Sequence, residues 1–251
     1  MRPVRLFAEL INASSLKPTV LQNVDIIFFR ELVGGIYFGE PRGRTTNRTE
    51  AFDTMRYTKP MIQRVVRMAL QAAQTRKKIM CSIDKANVLE CSRLWREVVN
   101  AEAKKFPDVT ITHLYVDNAA MQLIRRPSQF DVIVTENMFG DILTDEAAEL
   151  VGSLGLLPSA SIGPKISLFE PIHGSAPDIM GQGKANPIAA ILSVELLCRI
   201  AFHLESEAQA IRNAVGKVIQ TGLRTSDIYT GLTNERCVTT AEFGQAVLNT
   251  L

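Results

Sequence analysis

The sequence predicts an α/β fold in which an open sheet carries a ligand site along one edge. Two observations lead there. Short apolar runs bounded by turn residues alternate with stretches whose apolar residues recur at the helical period. Four of those runs end in charged or polar residues: Arg30, Lys85, Asp117 and the stretch from Thr135 to Asp145. Ligands of open α/β sheets bind outside the carboxyl ends of strands, so four such ends suggest one shared site. Strand ends are also polar simply because they meet solvent.

The bulk properties narrow the class. A chain of 251 residues, 46% hydrophobic and 22% charged, suits one large or two modest globular domains. A net charge of +2 points away from nucleic-acid and acidic-membrane partners. No run reaches the ~18 apolar residues of a membrane span. Met1-Arg2-Pro3-Val4-Arg5, with Glu9 close behind, does not read as a secretory signal. Cys81, Cys91, Cys198 and Cys237 are scattered without zinc spacing, which predicts reduced thiols and a cytoplasmic location.

The elements follow in order. Residues 1–23 are fragmentary, and Val24 to Phe29 is the first clear strand, ending at Arg30. Gly34 to Gly43 is glycine-punctuated and aromatic, and reads as strand and loop. Pro60 opens a helix whose Ile62, Val65, Val66, Ala69, Leu70 and Ala73 keep the helical period. Ile79 to Ile83 is the second strand. Asn87, with Glu90 three residues on, predicts a capped helix to about Lys105 with Leu94, Val98 and Ala101 on its apolar face. Val109 to Val116 is the third strand, followed by a helix carrying Met121 to Ile124 and stopped by Pro127.

Phe130 to Asp145 holds the densest chemistry. Val132-Ile133-Val134 is a buried strand, and a helix begins near Gly140. Asp141 and Asp145, four apart, share one helix face and could hold a hard divalent cation. They could equally be solvated acids favoured by the helix dipole. After Leu150 a long glycine- and proline-rich connection carries a short strand at Ile166 to Phe169. Glu170 to Ile179 is small and kinked, with amides able to face an anion or a nucleotide. No GxGxxG element occurs, so a dinucleotide would bind in a non-Rossmann way. Asn186-Pro187 starts an apolar, buried helix to about Phe202, and a second helix ends near Gly222. Thr239 with Glu242 caps a last short helix.

Several segments then converge. Arg30 to Gly43, Asp84 to Leu89, Tyr115 to Asp117, Asn137 to Asp145, Gly152 to Ala160 and His173 to Ile179 closely resemble, in order, the metal-dependent β-decarboxylating dehydrogenases. The overall likeness is to the branch acting on 3-isopropylmalate; branches acting on isocitrate, homoisocitrate or tartrate share these motifs. The resemblance implies an isocitrate/isopropylmalate dehydrogenase-like two-domain fold. It implies a small 2-hydroxy dicarboxylic acid as substrate, NAD as oxidant and Mg2+ or Mn2+ as cofactor. Lys85 would be the general base and Tyr57 the acid. Arg2 and Arg30, with Asp117, would meet the substrate, and Asp117, Asp141 and Asp145 would hold the metal. Asn87 would lie near the nicotinamide, and His173, Gly174, Ser175, Ala176, Asp178 and Asn186 on the adenosine side. The lysine and one aspartate would come from a neighbouring subunit, implying a homodimer with shared active sites.

The chemistry is consistent with those roles. A metal-chelated 2-hydroxy acid loses its hydroxyl proton more easily. A lysine serves as a base where a neighbouring cation discourages its charged form. Guanidinium groups match carboxylates. An acid at Asp178 would accept both ribose hydroxyls and repel a 2′-phosphate, favouring NAD over NADP. Singly, each residue has a plainer reading: Tyr57 as a packing tyrosine, Lys85 as surface charge, Asn87 as a cap, His173 as a solvated loop residue.

The start departs from the family, which has further strands before the position of Met1. The resemblance therefore implies that the N-terminal part of one domain is missing. Residues 1–151 would form the substrate, metal and dimerisation domain, and 152–251 the C-terminal half of the NAD-binding domain. Two readings follow: a dehydrogenase, or a non-catalytic fragment that binds metal or a partner without turnover.

Overall fold

The computed structural model describes residues 1–251, which form two compact units: Asp25–Glu146, and Met1–Val24 together with Ala147–Leu251. The expected division at residue 151 is therefore revised. The first 24 residues join the C-terminal unit. The reason is local: the Met1 amino group donates to Ala160 O (2.7 Å) and the Ala160 amide donates back to Met1 O (2.9 Å).

The continuous unit contains β1 (Asp25–Arg30), α1 (Lys59–Gln74), β2 (Ile79–Asp84), α2 (Glu90–Ala103), β3 (Thr110–Tyr115), α3 (Val116–Arg125), β4 (Val132–Thr135) and the start of α4 (Asn137–Val151). Its strands lie in the order β1-β4-β2-β3, and every pair is parallel. The register pairs Arg30 with Thr135, Thr135 with Ile83, and Asp84 with Tyr115. The carboxyl ends noted in the sequence thus come level along one edge.

Burial explains the elements. β4 is buried throughout, as a central parallel strand covered on both faces must be. In α1, Ile62, Val65, Val66, Ala69, Leu70 and Ala73 are all buried, so the expected stripe faces the sheet. A fully buried Ile or Leu side chain contributes about 1.5–3 kcal/mol. Trp95 is fully buried, and its indole N–H donates to Ser82 Oγ (3.1 Å).

Three local expectations change. The second helix starts at Glu90, and Asn87 does not cap it. The amides of Val88 and Leu89 close first on Lys85 O (both 2.9 Å), making a turn ahead of the helix. The buried face of α2 is Ser92, Trp95, Val98, Val99 and Glu102, while Ala101 is exposed, because Trp95 sets the rotation of the helix. Asp117 lies in the first turn of α3, just beyond the end of β3.

The discontinuous unit pairs β5 (Pro158–Ile162) with β6 (Ser167–Pro171) as an antiparallel ribbon. The sequence suggested only the second of these strands. Helix α5 (Ile188–Leu196) runs on into a π-helical turn over Leu197–Ala201. It buries Ile188, Ala189, Leu192 and Leu196, but Val194 and Phe202 face out, so its burial is one-sided. Helices α6 (Glu205–Gln220) and α7 (Thr240–Leu248) complete the unit. The expected capping box forms at Thr239 and Glu242.

Candidate active site and nucleotide cleft

The strand edge of the continuous unit assembles one group of side chains around Arg30, Tyr37, Asn137 and Asp141. Arg30, at the end of β1, donates Nε to Asn137 Oδ1 (2.9 Å), and its Nη1 pairs with Asp141 Oδ1. The Tyr37 hydroxyl donates to Asp141 Oδ2 (3.0 Å), and the Arg30 guanidinium lies 5.9 Å from the Tyr37 ring centre. Gly140 makes this geometry possible: a Cβ there would sit 2.8 Å from both Arg30 Cγ and Thr135 Cγ2. Removal from water, and then the Asp141 carboxylate, hold the Tyr37 phenol above its ordinary pKa.

Tyr57 is placed differently from its expected role. Only 6% of it is exposed, and its hydroxyl oxygen accepts the Asn137 amide (2.8 Å) beneath the group just described. Burial pushes its phenol far above the usual range. Its hydroxyl is engaged by the buried Asn137 amide, whereas the Asp141 carboxylate is met by Tyr37. Tyr37, 37% exposed and on the Asp141 carboxylate, is the tyrosine the site presents. In the function proposed below, Tyr37 takes the acid role expected of Tyr57.

Lys85 and Asp117 form a second group. Lys85 Nζ donates to Asp117 Oδ1 at 2.5 Å, and the lysine lowers the Asp117 pKa. The ends of β2 and β3 are held by a third pair. Arg96 forks onto the buried Asp84 carboxylate (2.8 and 2.9 Å) and covers the Tyr115 ring at 5.1 Å. Asn87 is exposed in the turn that follows Lys85.

Asp117, Asp141 and Asp145 do not gather within one chain, where no group of three possible ligands forms. Asp117 turns to Lys85, and Asp141 to Arg30 and Tyr37. Two oxygen-bearing acids one helical turn apart remain a donor set suited to a hard cation, and a third acid from another chain would complete it.

Arg2 and the remaining residues expected at the nucleotide belong to the discontinuous unit. Arg2 lies on the half-buried strand Arg2–Arg5. A cleft of about 630 Å³ is lined by His173, Gly174, Ser175, Ala176 and Asn186, as the resemblance implied. Asp178 is exposed beside it, while its neighbours Ala176 and Ile179 form the wall. The amides of Gly174, Ser175 and Ala176 donate to no protein acceptor. Ala176 adopts a left-handed conformation (φ 43°) that bends the loop. Apolar walls with a few convergent amides fit a nucleotide better than a metal or a lipid.

Sequence reasoning passed over the organiser of this cleft, Asp227. Its Oδ2 accepts from Ser153 Oγ (2.5 Å) and Asn186 Nδ2 (3.0 Å), and its Oδ1 accepts from Thr225 Oγ1 (2.6 Å). Asn186 in turn accepts the Ile188 amide (3.0 Å) at the start of α5. Nothing in the spacing of Asp227 marks it, because Ser153 and Asn186 lie far away along the chain.

Comparison with known proteins accords with this geometry. Residues 1–247 match the family described as isocitrate/isopropylmalate dehydrogenase. The chain is 59% identical over 233 residues to the 3-isopropylmalate dehydrogenase of Geobacillus kaustophilus, matching 91% of this chain and 62% of that protein. It is 55% identical to the enzyme of the same name from Sulfurimonas denitrificans, over 99% of this chain and 69% of that protein. The chain thus spans roughly two thirds of the length of these relatives. Among solved structures, isocitrate dehydrogenase from Methylococcus capsulatus superposes with a TM-score of 0.89 at 32% identity, covering 99% of this chain and 71% of the other. The chain belongs to the isocitrate/isopropylmalate dehydrogenase family.

Proposed function

We propose that the chain carries the substrate and metal residues of an NAD-dependent 3-isopropylmalate dehydrogenase, which oxidises and decarboxylates 3-isopropylmalate to 4-methyl-2-oxopentanoate and CO2 in leucine biosynthesis. The observation that carries the reading is the Arg30–Asp141–Tyr37 group. It sets a guanidinium, a carboxylate and a phenol hydroxyl side by side at a strand edge, groups whose chemistry supports carboxylate binding, metal binding and proton donation. The choice of 3-isopropylmalate over isocitrate, homoisocitrate or tartrate is supported by relatives of that name at 52–59% identity.

In this reading Arg30 binds a substrate carboxylate with Nη2 while Nε stays fixed on Asn137 and Nη1 on Asp141. Lys85, steadied by Asp117, would take the proton from the substrate hydroxyl, and NAD when bound would supply the hydride acceptor. The Tyr37 hydroxyl, set on the Asp141 carboxylate, would protonate the carbon that CO2 departs from. Asp141 and Asp145, with Asp117 of a second copy, would hold Mg2+ or Mn2+, which would supply Lewis-acid polarisation of a bound hydroxy acid. His173, Gly174, Ser175, Ala176 and Asn186 hold the adenosine side of NAD, and Asp178 selects against a 2′-phosphate. Arg2 and Asn87 keep the roles the resemblance implies, at a substrate carboxylate and at the nicotinamide.

A homodimer is part of the proposal. Met121, Ile124 and Ile142 are exposed apolar residues on α3 and α4, a surface suited to a second copy. The Lys85–Asp117 pair and the Arg30–Asp141 pair are the two halves such a contact would bring together. Four cysteines without a disulfide support a cytoplasmic setting. No helix is long and apolar enough to cross a membrane, and the small net charge offers no nucleic-acid surface.

The test is NADH formation by the purified chain with 3-isopropylmalate, NAD and Mg2+, with isocitrate in parallel. Turnover of 3-isopropylmalate alone supports the proposal, and turnover of isocitrate alone moves the substrate. Absence of turnover with retained binding of metal favours the second reading, a non-catalytic fragment.

A further inference from the structure

The buried Tyr57 meets the Arg30 group through Asn137 and through the loop that leads to Tyr37. Its oxygen accepts the Asn137 amide (2.8 Å), the first residue of α4. Asn137 then spends its side chain on two neighbours, accepting from Arg30 Nε (2.9 Å) and donating to Gly34 O (3.0 Å). The loop that leads to Tyr37 lies flat on the Tyr57 ring. A Cβ on Gly34 would come within 2.9 Å of that ring, and one on Gly35 would collide with the hydroxyl. The Gly35 amide also donates to Arg56 O (2.9 Å), next to Tyr57 in the chain. Behind it, the ring meets the fully buried Trp95 edge-on, with centres 5.9 Å apart.

We infer that Tyr57 is a positioning residue: its hydroxyl fixes Asn137, and through Asn137 the aim of Arg30 and the seat of the Tyr37 loop. This rests on the dehydrogenase reading for its functional meaning, but not for its geometry. A buried amide that loses its only acceptor must seek another, and the start of a helix is free to shift by a fraction of an ångström to find one. Small misplacements of binding groups are costly to rate, about 10²-fold for 1 Å.

The experiment replaces Tyr57 with Phe, which keeps the ring and removes the oxygen. Arginine-selective 15N labelling then follows the Arg30 Nε–H signal by NMR. The wild type should show a slowly exchanging Nε–H, and Y57F should lose or displace it while the helical circular dichroism stays unchanged. In turnover assays Y57F should lower kcat about 10- to 100-fold and leave KM for NAD within about twofold. An Arg30 Nε–H signal unchanged in Y57F overturns the inference, whatever the activity. Loss of that signal sustains it even if no preparation forms NADH, in which case the dehydrogenase reading fails separately. Should Y57F not fold, Gly34→Ala presses on the same ring from the loop side, and the same Arg30 signal decides.

Discussion

The Tyr37 hydroxyl donates to Oδ2 of Asp141 at 3.0 Å while Arg30 holds Oδ1 of the same carboxylate. One acid is thereby shared between a proton donor and a cation. The Tyr37 contact can be removed without disturbing the core, because Tyr37 is 37% exposed.

Tyr37→Phe is expected to lower kcat about 10²-fold or more, since general acids contribute at least that much. Its melting temperature should stay close to that of the wild type. Steady-state kinetics and thermal unfolding on the same preparation check both halves. A Tyr37→Phe enzyme of wild-type rate would return the acid role to another residue.

Asp141→Asn and Asp145→Asn should each weaken Mn2+ binding, read by calorimetry or by the electron paramagnetic resonance of the free ion. Both variants should remain folded, as the acids lie on a helix face and not in the core. Wild-type affinity in both would remove these residues from the metal site.

If two copies share their sites, Lys85→Ala and Asp141→Asn are inactive alone but complement each other. Mixed dimers then carry one site with Lys85 and Asp141 both intact. Random reassortment predicts recovery of about a quarter of wild-type activity. No recovery after verified subunit exchange would show that each chain uses its own Lys85.

Glu136 gives the pH prediction. It is fully buried, and desolvation raises its pKa to about 7 although Ser92 donates to Oε1 (2.5 Å). Its Oε2 has no partner and is the place for the proton. A carboxyl whose folded pKa exceeds its unfolded value stabilises the protein at low pH. That contribution fades as pH rises between about 4.5 and 7. Glu136→Gln is neutral throughout, so it should match the wild type near pH 4.5 and exceed it at pH 8. The gain should be on the order of 3 kcal/mol. Urea unfolding at the two pH values measures it, and equal pH dependence in both proteins would refute it.

Replacing Asp178 and Ile179 with Lys and Tyr should relax selection against NADP. The acid that would repel a 2′-phosphate is then gone and a cation takes its place. The ratio of kcat/KM for the two nucleotides reads the change. A wild type that already used both nucleotides equally would remove Asp178 from that role.

The legible parts of the chain were those where a local pattern and tertiary packing agree. Ile62, Val65, Val66, Ala69, Leu70 and Ala73 repeat at the helical period and are all buried. Thr239 and Glu242 cap each other as their spacing requires. Asn87 and Glu90 share that three-residue spacing and do not, because the Lys85 carbonyl closes a turn first. Residues Pro158–Ile162 looked like connection, flanked by glycines and opened by proline; pairing with Ser167–Pro171 makes them a strand. Tyr37 and Tyr57 both neighbour glycine-rich loop, and only burial separates the exposed donor from the enclosed one. Asp227 acts on residues far away along the chain, which no window of sequence reports.

The first turn of α7 is also tied to the nucleotide cleft. The Thr240 amide donates to Gly183 O (2.8 Å) and its hydroxyl to Ala185 O (2.5 Å), and Gly183, Ala185 and Thr240 all line the cleft. That makes the last helix a latch on the loop it touches. Fraying of the C-terminal end would reach the cofactor pocket as a change in its mobility, so deuterium uptake at Gly183–Ala185 and at α7 should rise and fall together.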